Sequence, residues 1–242
     1  MKLQFAVYSK FVIIESRMNK KINTIKQIVK KELSSSSHDL EHTFRVFELA
    51  CMLAKKEQTV DMEIVEIASL LHDIARVKED SDLSGNIDHA LLGAEMAEKI
   101  LRSLDYPEKI VQSVKHCIQT HRYRGEVPPE TKEAKILFDA DKLDAIGAVG
   151  IARAYMIAGE RGESVYIDVD LNSYMKENLL GGKISGRIKD ISKHAPNIEL
   201  KTKFRYIPER LFTDAAKKIA KKRIAFMEDF FSTLKKEIEG LL

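Results

Sequence analysis

Apolar residues recur at helical spacing along almost the whole chain, and turn signals divide them into a series of amphipathic segments. The pattern predicts a helix over 22–33, ended by the serine run Ser34–Ser37. That run supplies the cap for a second helix from about Asp39 to Lys56, with Leu40, Phe44, Phe47 and Leu53 among its apolar positions. Asp61 caps a third helix reaching Ala75, and Asp88 a fourth from His89 to about Ser103. Pro107 sits in the first turn of a fifth helix that runs to about His121. After a polar loop, Arg122 to Pro129, a sixth helix begins near Thr131 and continues past Gly147 and Gly150 to about Ala158. A break over Gly159 to Asp170 leads to a helix from Leu171 to Leu180, and Pro208 opens a long terminal helix to Leu242. Gly181 to Tyr206 has weak periodicity and reads as an irregular insertion, while Ser164 to Val169 could form a short hairpin edge.

The expectation is an all-α, single-domain helical bundle. Residues 1–21 are an N-terminal extension packed on the body, 22–160 the core, and 161–242 a C-terminal helical part with the insertion near 176–210. At 242 residues the chain is long enough for one large core. Its 44% hydrophobic and 32% charged residues match an ordinary globular protein. A net charge of +3 gives no reason to expect a nucleic-acid partner, and Lys217 to Arg223 reads as a solvated helix face. No segment has the roughly 18 uninterrupted apolar residues that a membrane span needs. Cys51 and Cys117 both lie in apolar helical patterns and read as buried thiols, in keeping with a cytoplasmic location. An oligomer is compatible with all of this.

The most informative feature is His72-Asp73, placed directly after the apolar run Ile64 to Leu71. An imidazole and a carboxylate there are expensive to desolvate without a partner, and a divalent cation satisfies both at once. Residues of the same chemistry stand before and after: His42, then His89, His116, His121 and Asp141. Phosphate loops, nucleophile elbows, Cys-x-x-Cys pairs and dinucleotide glycine fingerprints are all missing from the sequence.

The order His42…His72-Asp73…Asp141 resembles the HD superfamily of metal-dependent phosphohydrolases. Blocks around Ser37–Val46, Leu70–Arg76, His116–Gly125, Asp139–Gly147 and Arg223–Phe231 resemble a bacterial and archaeal branch that includes nucleotide pyrophosphatases. The resemblance implies an HD-type bundle around a metal site with His42, His72, Asp73 and Asp141 as ligands. Two imidazoles and two carboxylates suit Mn²⁺, Ni²⁺, Fe²⁺, Co²⁺ or Zn²⁺, and less readily Mg²⁺. His89 and His121 fall where a second metal would find ligands; alternatively they bind phosphate or water around a single ion. His116 and His121 are five apart and share no helical face unless the helix ends between them.

Asp73 and Arg76 are the expected catalytic groups. Asp144, one turn beyond Asp141, joins them as a base or an orienting group. Arg45, Arg76, Arg122 and Arg124, with His116, are the candidate substrate-binding residues, since a guanidinium matches two phosphate oxygens at once. The implied reaction is hydrolysis of a phosphoester or phosphoanhydride in a small phosphorylated substrate, most plausibly a nucleotide. Within that class the resemblance favours a nucleoside triphosphate pyrophosphohydrolase over a nucleotidase. Two alternatives stay open: a nucleotide-binding HD signalling module without turnover, and oxidation at a two-iron site using both extra histidines.

Overall fold

The computed structural model describes residues 20–34, 37–122 and 127–242. The N-terminal extension lies almost wholly outside them, as does Arg124. Every regular element among the described residues is helical, and their one β pairing is an isolated antiparallel bridge between Leu179 and Ile188. The chain divides after Ala140 into two compact units.

The first unit is built on α1 (residues 20–32), α2 (Ser37–Ala54), α3 (Met62–Leu71), α4 (Arg76–Asp80), α5 (His89–Ser103) and α6 (Glu108–Thr120). Helix α3 lies at its centre, against α2 and α6, and α5 packs along α6. Ile64, Val65, Ile67, Ala68, Leu70 and Leu71 of α3 are all buried. At about 1.5–3 kcal/mol for each large side chain removed from water, they anchor the unit. Asp61 starts this helix, its carboxylate accepting from the backbone N–H groups of Glu63 and Ile64. Helix α3 stops at Leu71, not at Ala75 as the pattern predicts. Ile74 and Ala75 are buried as expected, but in a turn closed by Ile74 N–H to the Leu71 carbonyl and Arg76 N–H to that of Asp73. An apolar pair looks the same in periodicity whether a helix or a turn buries it.

Helix α7 (Lys132–Asp144) carries the chain across the division. The second unit continues with α8 (Gly147–Arg161), α9 (Leu171–Asn178), α10 (Pro196–Thr202), α11 (Ile207–Arg210) and α12 (Asp214–Ile238), with α12 lying against α8, α10 and α11. The predicted helix from Thr131 to Ala158 is thus two. Turn hydrogen bonds from Ala145 and Ile146 to the carbonyls of Lys142 and Leu143 end α7, and Gly147 at φ +84° redirects the chain. A Cβ on Gly150 would lie 2.4 Å from the Ala145 carbonyl oxygen, so the close return of the chain requires glycine there.

Pro208 lies in the first turn of the short α11, while the long terminal helix starts later, where the Thr213 hydroxyl caps the Ala216 N–H. The predicted edge at 164–169 forms no strand. Asn197 takes the place of a neighbouring strand: its side-chain amide accepts from Ile167 N–H and donates to the Ile167 carbonyl, at 3.2 and 2.8 Å. Asn178 clamps Asp190 in the same way, and Tyr174, Leu179 and Ile198 bury against one another. The segment expected to be irregular is therefore ordered by side-chain amides. A cleft of about 490 Å³ beside it is lined by Ile167, Val169, Tyr174, Glu177, Asn178 and Lys193, among others.

Candidate metal centre

Helix ends build the centre. His72 and His121 are the C-terminal caps of α3 and α6, where the last carbonyls of a helix have no intrahelical partner. Each ring uses one of them: His72 Nδ1–H donates to the Ser69 carbonyl at 2.8 Å, and His121 Nδ1–H to that of Ile118 at 2.6 Å. The device is the same in both, a carbonyl three residues back. It fixes the tautomer and leaves the Nε2 lone pair pointing inward.

His89 arrives from a helix start. Asp88 caps α5 through the N–H groups of Ala90 and Leu91, and His89 follows as its first residue. Its Nδ1–H is held at 2.7 Å by the Glu79 carboxylate, so its Nε2 is also bare. His42 comes from within α2.

These four imidazoles surround Asp73. On one side, His42 Nε2 and His72 Nε2 are 3.4 Å apart, each 3.6 Å from Asp73 Oδ2. On the other, His89 Nε2 and His121 Nε2 are 3.3 Å apart, each 3.3 Å from Asp73 Oδ1. Two triads thus share one carboxylate, and all five residues are buried. Asp73 Oδ1 is fully buried and has no hydrogen-bond partner. Burial by itself would raise the Asp73 pKa, but the electrostatic influence of its neighbours His72, Arg76 and His121 outweighs it and holds the carboxyl well below the usual range. An ionised carboxylate oxygen facing two imidazole Nε2 lone pairs in a dry site is unstable alone; a cation between them satisfies all three. The donor set of imidazoles and a carboxylate, at spacings a single ion can span, fits a borderline divalent metal.

Arg76 and Arg122 border this cluster. Arg76 Nη1 donates to Glu79 at 2.6 Å and its Nε lies 3.7 Å from Asp73 Oδ2. Arg122 Nη1 reaches Asp88 at 2.5 Å and Glu79 at 3.3 Å. Arg45 lies 3.6 Å from Glu41 on its own helix. His116 stands apart from the triads, its Nε2 accepting the Glu130 N–H at 3.1 Å. The helix does end between it and His121, and only His121 joins the cluster. Asp141, paired with Lys142, and Asp144, buried and bonded to Arg153 at 2.7 Å, belong to the second unit. Glu79 is the site residue that sequence reasoning missed. It stands six residues beyond Asp73 in a run of charges, with nothing in its spacing to separate it from a surface glutamate.

An all-α fold in which three helix termini and the interior of α2 gather four histidines around one aspartate defines a helical protein with a cluster that could hold a metal. The HD domain family matches residues 39–146, and the chain belongs to that family. It is 31% identical over 217 residues to the protein YpgQ of Bacillus subtilis, covering 86% of this chain and 87% of that one. The structure of YpgQ in complex with ADP superposes with a TM-score of 0.67 at 28% identity, over 93% of this chain and 98% of the other. A predicted HD superfamily hydrolase from an uncultured Thermotogales bacterium gives a TM-score of 0.60 at 29% identity, over 89% and 91% of the two chains. Ribonuclease Y of Lawsonia intracellularis is 29% identical over 181 residues, 65% of this chain, which spans about a third of that longer protein. Among the described residues no helix is long and apolar enough to cross a membrane.

Proposed function

We propose that this chain is a divalent-metal-dependent phosphohydrolase that cleaves phosphoanhydride or phosphoester bonds of nucleotides, with nucleoside triphosphate pyrophosphohydrolysis favoured over nucleotidase action. The observation that carries the reading is the convergence of four imidazole Nε2 atoms on the two oxygens of Asp73. A divalent ion held there would supply acidified water and a polarised phosphoryl group. His42, His72 and Asp73 would hold one ion, and Asp73, His89 and His121 a second. The Nδ1–H bonds to Ser69, Ile118 and Glu79 keep His72, His121 and His89 in the ligating tautomer. Arg76 and Arg122, each about a third exposed, stand where they can neutralise charge developing on a phosphoryl group. Asp141 and Asp144 enter the proposal from the motif order alone, as a further ligand and an orienting group.

The ADP held by YpgQ supports a nucleotide as substrate. Relatives that are ribonucleases make a phosphodiester the competing bond. The deciding experiment incubates the purified chain with a panel of nucleoside mono-, di- and triphosphates and a short RNA, under Mn²⁺, Ni²⁺ and Mg²⁺. Phosphate, pyrophosphate and shortened RNA are measured separately. Pyrophosphate released from triphosphates, and lost in Asp73→Ala together with metal binding, is the expected result. Nucleotide binding without product would identify a binding module instead, and unchanged hydrolysis in Asp73→Ala would refute the site.

A further inference from the structure

Glu79 occupies an unusual position at the edge of the His/Asp cluster. Oε2 accepts from His89 Nδ1–H at 2.7 Å and from Arg76 Nη1 at 2.6 Å. Oε1 lies 3.3 Å from both the His89 backbone N–H and Arg122 Nη1. One carboxylate on the short α4 therefore grips the side chain and the backbone of His89 and ties in two guanidinium groups. His72 and His121 lean on neutral backbone carbonyls, which any residue at the preceding helix end would supply. The His89 side chain depends instead on an ionised acceptor, and charge-assisted hydrogen bonds are about twice as strong as neutral ones.

We propose that Glu79 is a positioning residue that gives the centre two unequal halves. It fixes the His89 tautomer and ring, so that the Asp73–His89–His121 half binds its ion through Glu79, while the His42–His72–Asp73 half does not depend on it. This rests on reading the cluster as a metal centre. A carboxylate behind a ligating histidine fixes the ring and raises its basicity, and losing such a partner weakens metal binding about 10- to 100-fold.

The test is calorimetric titration of the metal-free, full-length protein with MnCl₂, with bound and free Mn²⁺ followed by electron paramagnetic resonance. Wild type should take two ions per chain. Glu79→Leu should weaken one of them about 10- to 100-fold and leave the other within about threefold. Glu79→Gln, which keeps an acceptor for Nδ1–H, should lose less, and it decides the matter if Glu79→Leu does not fold. His89→Ala should remove the same ion. The double variant Glu79→Gln/His89→Ala should bind no worse than His89→Ala, because Glu79 acts through His89. Equal weakening of both ions, additive losses, or unchanged affinity in the Glu79 variants would overturn the proposal. So would a single ion per chain that is indifferent to His89→Ala. Tight binding of two ions with no nucleotide hydrolysis would defeat the functional reading and leave the role of Glu79 intact.

Discussion

Acidification should destabilise the metal-free protein well above the pH at which its carboxylates protonate, and His89 is the main reason. Burial is the largest influence on its ring; Asp73 and Glu79 pull against it, Arg76 and His121 add to it, and the pKa falls from 6.5 to about 4. Above pH 6.5 the ring is neutral in both the folded and the unfolded chain and has no effect on stability. Below that, the unfolded chain takes up a proton that the folded one refuses, so stability falls as the pH drops from 6.5 to about 4. From this one ring the loss is about 2 kcal/mol at pH 5 and about 3 kcal/mol below pH 4. Asp73 and Glu79 have lowered pKa values, so their contribution is present above the unfolded carboxylate range and is lost only in more acidic solution. They do not mask the histidine. Urea unfolding of chelator-treated protein, followed by circular dichroism between pH 7.5 and 4.5, reads the loss directly. His89→Gln should flatten most of the slope and leave a remainder from His194, whose pKa burial also lowers. Stability that stays constant or rises down to pH 5, or an unaltered slope in His89→Gln, would refute the reasoning.

Gly150→Ala drives a methyl group into the Ala145 carbonyl and should cost on the order of 1–3 kcal/mol, seen as a lower Tm. Arg76→Ala and Arg122→Ala should each raise KM for a nucleotide about tenfold or more with the helical spectrum retained; an unchanged KM would remove that arginine from phosphate binding.

The helices were legible where an apolar stripe coincided with a capping side chain. Asp61 and Asp88 mark the starts of α3 and α5 because each has a carboxylate two and three residues before the backbone N–H groups it accepts. Helix ends were harder. Nothing in the apolar spacing separates Ile74 in a turn from Ile74 in a helix, and the break at Ala145 depends on a tertiary partner, since Arg223 Nη1 donates to the Leu143 carbonyl from 80 residues away. The segment around 176–206 was illegible for a related reason. Its order comes from the amides of Asn178 and Asn197 holding distant backbone, and a side chain acting as a strand leaves no period.

The same distinction runs through the site. His42, His72, Asp73, His89 and His121 were visible because an imidazole or carboxylate among apolar residues needs a partner wherever it folds. Their division into two triads was not, because it depends on α3 and α6 ending one residue before His72 and His121. Had α3 run on to Ala75 as the periodicity suggests, the Ser69 carbonyl would have been taken by the Asp73 N–H in the helical ladder. His72 would then have competed for it, and Asp73 would have pointed about 100° further round the helix. Ending the helix at Leu71 frees the carbonyl that orients His72 and turns both oxygens of Asp73 toward histidines from three other elements. The motif therefore names the candidate ligands, and the helix terminus decides how they are grouped. Extending α3 by replacing the turn residue Ile74 with the stronger helix former Leu should accordingly lower Mn²⁺ affinity at both halves together, whereas Glu79 variants lower it at one. Metal binding unaffected by a longer α3, verified by the amide-exchange protection of residues 72–75, would show that the terminus is incidental.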